Sequence, residues 1–134
     1  MLTKPRSGWS TLVIGDFTSP VSYLLDTPQD CINAFTSSLE FGIPFSIYFD
    51  GEGRDCLLVG TDWECYTIVN ESDNENLDNN IKVRRFEIGV LQLASEFVED
   101  IERDYEAWQW WDAVDAPKEY DLSKLKELLN KEDG

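Results

Sequence analysis

Carboxylates supply most of the chemistry on offer in this chain of 134 residues: 27 Asp and Glu, with no histidine beside them. Without imidazole the chain lacks the usual general base near neutral pH and the commonest transition-metal ligand. Its serines have no histidine to activate them. A Gly-x-Ser-x-Gly elbow, a Walker loop and a dinucleotide-binding glycine fingerprint are all missing from the sequence. Asp50, Glu52 and Asp55 cluster at one turn and offer oxygen ligands suited to Ca²⁺. Asp50-Gly-Glu-Gly53 lacks the alternating ligand run and distal Glu of an EF-hand loop, so a solvated turn is expected there. Sugar hydrolysis by two carboxylates would need a carbohydrate cleft, which no pattern announces. Cys31, Cys56 and Cys65 contain no CxxC spacing, and their apolar neighbours mark them as reduced core residues. Cys56 and Cys65 could face each other across a hairpin. The expectation is no catalytic residue, no metal and no cofactor.

Charge points instead to binding. Only 11 Lys and Arg oppose the acids, leaving a net charge of −16. Such a field repels nucleic acid and anionic membrane and speeds encounter with basic partners. From Glu87 to Glu106 there are seven acids and one base, Arg103, while residues 61–80 hold six acids and no base. Glu99–Arg103 is the one favourable i,i+4 pair expected there; Glu96–Asp100 and Glu102–Glu106 repel. A helix built for stability alone would mix in lysines. The candidate partner-binding residues are therefore Glu99, Glu102, Glu106 and Trp110 on a long helix. Asp62, Trp63, Glu64, Glu71 and Asp73 in the second acidic stretch join them. Trp110 falls away from the apolar stripe of Trp108 and Trp111, where it either anchors a partner or packs under the last helix. Lys82, Arg84 and Arg85 are too few for a nucleic-acid footprint and are expected to pair with nearby acids.

These residues need elements to hold them. Trp9–Gly15 and Val21–Leu25 read as strands joined around Asp16–Pro20. Thr27 as cap, Pro28 and Asp30 open a helix whose stripe is Cys31, Ala34, Phe35, Ser38 and Leu39, ended by Gly42 and Pro44. Phe45–Phe49, Cys56–Gly60 and Cys65–Val69 form an antiparallel meander, with Ile81–Phe86 as a sixth strand. Residues 71–80 read as a mobile acidic loop. A helix from about Gly89 to Asp112 carries Val90, Ala94, Phe97, Ile101, Tyr105 and Trp108 inward, with Glu96, Glu99, Asp100, Glu102 and Glu106 outward. Residues 113–121 connect to a last helix capped by Asp121, with Leu122, Leu125, Leu128 and Leu129 as its apolar face.

The order ββαβββ(β)αα predicts one α+β domain over residues 1–134, an antiparallel sheet of five to six strands packed against helices. Apolar residues make up 42% of the chain, too many for a disordered acidic tail. The longest apolar runs are far too short to span a bilayer, and no signal sequence opens the chain, so a cytosolic protein is expected.

Several segments together resemble the immunity proteins of bacterial polymorphic-toxin and contact-dependent-inhibition systems. They are Gly8-Trp9, Val13-Ile-Gly-Asp-Phe17, Ser22-Tyr-Leu24, the Thr27-Pro28 helix start, Phe45-Ser-Ile-Tyr-Phe-Asp-Gly-Glu52 and Leu93-Ala-x-Glu96 … Asp100-Ile101 … Trp108. The resemblance is one of layout across most of the chain. It implies a small acidic α+β protein that neutralises a cognate basic toxin, in many cases a nuclease, by covering its active-site cleft; it carries over no catalytic or contact residue. The alternatives are a nucleic-acid mimic of the anti-restriction or anti-CRISPR kind and a cytosolic adaptor with no toxin partner.

Overall fold

The computed structural model describes residues 1–71, 81–112 and 116–133. Among these residues lie six strands and four helices in an α+β arrangement. The strands are β1 (Trp9–Ile14), β2 (Phe17–Ser22), β3 (Phe45–Phe49), β4 (Arg54–Gly60), β5 (Cys65–Glu71) and β6 (Ile81–Phe86). The helices are α1 (Thr27–Phe41), α2 (Val90–Arg103), α3 (Tyr105–Gln109) and α4 (Ser123–Asp133). All strand pairs are antiparallel, but the strands divide between two sheets, a β1–β2 ribbon and a β3–β4–β5–β6 meander.

The first hairpin is tighter than its sequence suggests. Gly15 and Asp16 alone make the turn, Ile14 faces Phe17, and Pro20 lies within β2 opposite Thr11. Gly15 takes φ +59, which a two-residue turn of this kind needs at its first central position. Pro20 is tolerated because the ribbon leaves one side of β2 without a ladder partner. In the β3–β4 turn, Gly53 has φ +116, and a side chain at Gly51 would stand 2.0 Å from the Arg54 carbonyl.

Helix α1 begins one residue earlier than its sequence reads. Asp26, not Thr27, occupies the cap position, and Thr27 is already helical and buried. Its stripe of Cys31, Phe35 and Ser38 enters the core, and Gly42 ends it in the left-handed conformation with its N–H on the Ser38 carbonyl. Phe35 meets Phe45 of β3 edge-on at 5.2 Å and Phe97 of α2 at 5.7 Å, so three elements lock on one ring. The three cysteines are free and buried. Cys56 and Cys65 do not face each other: the register sets Cys56 opposite Val69 and Cys65 opposite Gly60.

The long C-terminal helix is broken. Asp104 leaves helical geometry (φ −116, ψ 32), ending α2 and capping α3. Apolar spacing is the same on both sides of the break, so periodicity alone cannot see it. Aspartate competes for backbone hydrogen bonds and is a weak helix interior residue, and here Arg103 draws Asp104 and Asp100 together. Trp108 and Trp111 pack edge-on at 5.0 Å inside the core.

Candidate partner-binding surface

Trp63 sits at the tip of the β4–β5 connection and is 82% exposed. The turn beneath it is fastened at four points. Thr61 N–H donates to the Glu64 carbonyl at 2.9 Å, and Trp63 N–H donates to Thr61 Oγ1 at 3.3 Å. Val90 N–H, at the start of α2, donates to the Thr61 carbonyl at 3.0 Å. Gly89 packs so closely that a side chain there would stand 1.9 Å from the Asp62 carbonyl. The indole is thus presented by a rigid turn, with Asp62 exposed beside it. Glu64 is not a free carboxylate: Arg85 Nε donates to its Oε2 at 2.5 Å and the Tyr66 hydroxyl to its Oε1 at 3.1 Å. These hydrogen bonds hold the Glu64 carboxyl below the usual carboxylate range. Glu71 is the last residue of β5, and Asp73 lies outside the described residues.

The exposed ridge of α2 and α3 carries Glu99, Glu102 and Glu106. Glu99 and Glu106 have no basic partner among the described residues, whereas Lys126 of α4 reaches Glu102 at 3.0 Å. The expected Glu99–Arg103 pair does not form, because Arg103 turns to Asp100 at 3.1 Å and Asp104 at 2.9 Å. Asp100 is buried rather than outward-facing. Its Oδ2 accepts from the Met1 nitrogen at 2.7 Å and from Leu2 N–H at 2.8 Å, tying the β1 approach to α2.

Trp110 is 48% exposed, and the two clefts it lines have no residue of α4 in their walls. It separates two clefts against the N-terminal segment. One, of about 470 Å³, has Lys4, Arg103 and Glu106 in its walls; the other, of about 320 Å³, has Pro5, Tyr23 and Trp111. Trp110 therefore stands where the acidic ridge meets two bases, not inside an acidic field.

The ridge and the Trp63 turn flank opposite stretches of α2. At 1.5 Å per residue, Glu99 is about 15 Å along the axis from Gly89, and Glu106 lies beyond the break at Asp104. The sequence-derived residues thus form two separate surfaces. Sequence reasoning missed the aromatic company of Trp110, where the exposed Tyr23 shares a cleft with it and with Trp111. It also missed the exposure of β6, where Ile81 and Val83 carry an alternation that reads equally well as buried.

Among the described residues no group of three or more Cys, Asp or Glu is placed to hold a metal ion, and no helix is long and apolar enough to cross a membrane. Comparison with known protein families, with curated proteins and with solved structures finds no match.

Proposed function

We propose that this protein neutralises a cognate basic toxin domain by binding over its active-site cleft. The observation that carries this reading is the Trp63 turn: a rigidly held, 82% exposed indole next to the exposed carboxylate of Asp62, which has no ion-pair partner among the described residues. Exposed tryptophans of this kind are costly in water and are favoured at the energetic centre of interfaces. Because the turn is already ordered, little conformational entropy is lost when a partner pocket closes on it. Glu99 and Glu106, without an ion-pair partner among the described residues, add negative charge on the ridge, and the net charge of −16 steers a basic partner toward both surfaces. Fast encounter comes from the field; slow release comes from the buried aromatic anchor.

The test is co-expression with the product of the neighbouring gene. Protection of the host from a toxic neighbour, together with recovery of a stable complex, is the expected result. A harmless neighbour, or a toxic one that is neither bound nor silenced, sinks the reading.

A further inference from the structure

Strand β6 ends the four-stranded sheet, with no strand beyond it among the described residues. The opposite edge strand, β3, is flanked by α1: Asn33 and Ser37 of the helix share a cleft with Ser46 and Tyr48 of the strand. Among the described residues β6 meets only the β1–β2 turn, where Phe17 packs edge-on against Phe86 at 6.0 Å and Asp16 pairs with Arg84, and no helix lies along its outer edge. Five of its six residues are exposed, including Ile81 and Val83 at 62% each. An edge strand presents unpaired backbone N–H and C=O groups, a ready template for another strand.

The register shows what such a strand would extend. Tyr48, Leu57, Ile68 and Val83 lie directly opposite one another in one row across all four strands. Side chains alternate between faces along a strand, so this row lies opposite the buried Phe45, Ile47 and Phe49. The row finishes on an exposed valine at the open edge. Lys82 and Arg84 project from the other side of β6. Lys82 has no ion-pair partner among the described residues, and Arg84 meets Asp16 only at the surface.

We propose that β6 is a docking edge for an extended segment of a protein partner in which apolar and acidic side chains alternate. Added as a fifth strand, the segment places its apolar residues beside Ile81 and Val83 and its carboxylates beside Lys82 and Arg84. Cross-strand pairs of opposite charge and of apolar groups are the units that stabilise a sheet, and backbone pairing supplies the affinity. A second copy of this chain is a poor occupant. Antiparallel pairing centred on Val83 sets Lys82 opposite Arg84 and Ile81 opposite Arg85, which opposes like charges. The surface is independent of the toxin reading, since it is neither the Trp63 tip nor the α2–α3 ridge.

The probe is an eight-residue peptide alternating Glu and Val, added to the full chain at physiological salt. Amide hydrogen exchange at β6 and calorimetry are the readouts. The expected result is slowed exchange across residues 81–86 with a Kd below about 1 mM. Lys82→Glu/Arg84→Glu should weaken binding at least tenfold, and this variant should gain β6 protection from a Lys–Val peptide instead. A peptide N-methylated at alternate residues, which keeps its charges but loses edge donors, should fail. The proposal is overturned by unchanged β6 exchange at saturating peptide, by equal protection from the N-methylated peptide, or by β6 protection arising from self-association of the chain alone.

Discussion

The Tyr105 hydroxyl accepts the Tyr120 N–H at 3.0 Å and donates to the Tyr120 carbonyl at 3.3 Å, so one side-chain oxygen satisfies both backbone polar groups of a residue 15 positions away. Tyr120 passes the connection on, its own hydroxyl donating to Asp26 at the start of α1 at 2.9 Å. Lys118 bridges Asp26 and Asp112 alongside. Helices α1 and α3 and the segment leading into α4 are thus stapled together by polar contacts around the buried Trp108 and Trp111. Tyr105→Phe removes the oxygen and leaves the part-buried Tyr120 groups unpaired. We expect a loss of about 1–3 kcal/mol in urea unfolding, because an orphaned buried donor costs its desolvation. Unchanged stability would mean that water replaces the hydroxyl there.

Asp100 and Glu99 are neighbours on α2 with opposite fates, one buried on the Leu2 N–H and the Met1 nitrogen, the other in solvent. Asp100→Ala is expected to cost about 2–4 kcal/mol, the range for breaking a buried charged network. Glu99→Ala should stay within about 0.5 kcal/mol. Paired denaturation curves check both, and equal costs would remove Asp100 from the fold's supports.

Burial pushes the Cys56 and Cys65 thiols up from 9.0 to about 11. The thiols of the unfolded chain release protons first, so between pH 9 and 11 the native state holds more protons than the unfolded one. Stability from these groups is complete below pH 9 and is lost as pH rises toward 11, on the order of 1 kcal/mol per pH unit for each thiol. Tyr48, raised to about 12 chiefly by its hydrogen bond to Asp55, extends the decline. Unfolding measured from pH 8 to 11 should show this slope, shallower in Cys56→Ala/Cys65→Ala. A slope identical in both proteins would assign the decline to Cys31, whose burial also pushes its thiol up, and to the tyrosines.

The fold was legible where local chemistry decides it. Gly42 behind the Cys31–Phe35–Ser38 stripe ends α1, and the Asp50–Gly53 turn joins β3 to β4. What escaped was decided by distant partners. Asp100 reads as one more acid on a polar face until the N-terminal segment arrives to bury it, and Arg103 then abandons Glu99. Asp104 breaks a helix whose apolar spacing runs straight through it, which re-aims Trp110 toward Lys4 and Pro5 instead of α4. Trp63 was legible as a candidate contact in an acidic stretch, but its exposure was not. The clamp that makes the turn rigid depends on Gly89, 26 residues further on, where the sequence signals nothing more than a helix start.

Gly89 supplies its own test. Its φ of −94 suits any residue, so a side chain there meets a steric obstacle, not a conformational one. The obstacle is the Asp62 carbonyl, 1.9 Å from the position of a Cβ. Gly89→Ala must therefore push the Trp63 turn away from α2 and break the Val90–Thr61 hydrogen bond. A loss of about 1–3 kcal/mol is expected, typical of overpacking, together with faster amide exchange at residues 61–64. An alanine accommodated without either change would show the turn to be pliable, and with it the entropy argument for Trp63 would fall.

Trp63 and the Glu99–Glu106 ridge separate the two parts of the proposed binding mechanism. Trp63→Ala removes an 82% exposed side chain and should leave the melting temperature nearly unchanged. Against a bound toxin it should cost at least about 2 kcal/mol, a thirtyfold or greater loss carried by faster dissociation. Glu99→Ala/Glu106→Ala also leaves the fold alone, since neither residue has an ion-pair partner among the described residues. Its effect should fall on association, which slows and becomes less sensitive to salt as screening takes over within about 8 Å at physiological ionic strength. Glu102→Ala is the internal control, because its carboxylate is already engaged by Lys126. Stopped-flow association and dissociation rates decide the matter. Should Trp63→Ala slow association and spare dissociation, the turn steers rather than anchors, and the anchor must be sought at Trp110 between its two clefts.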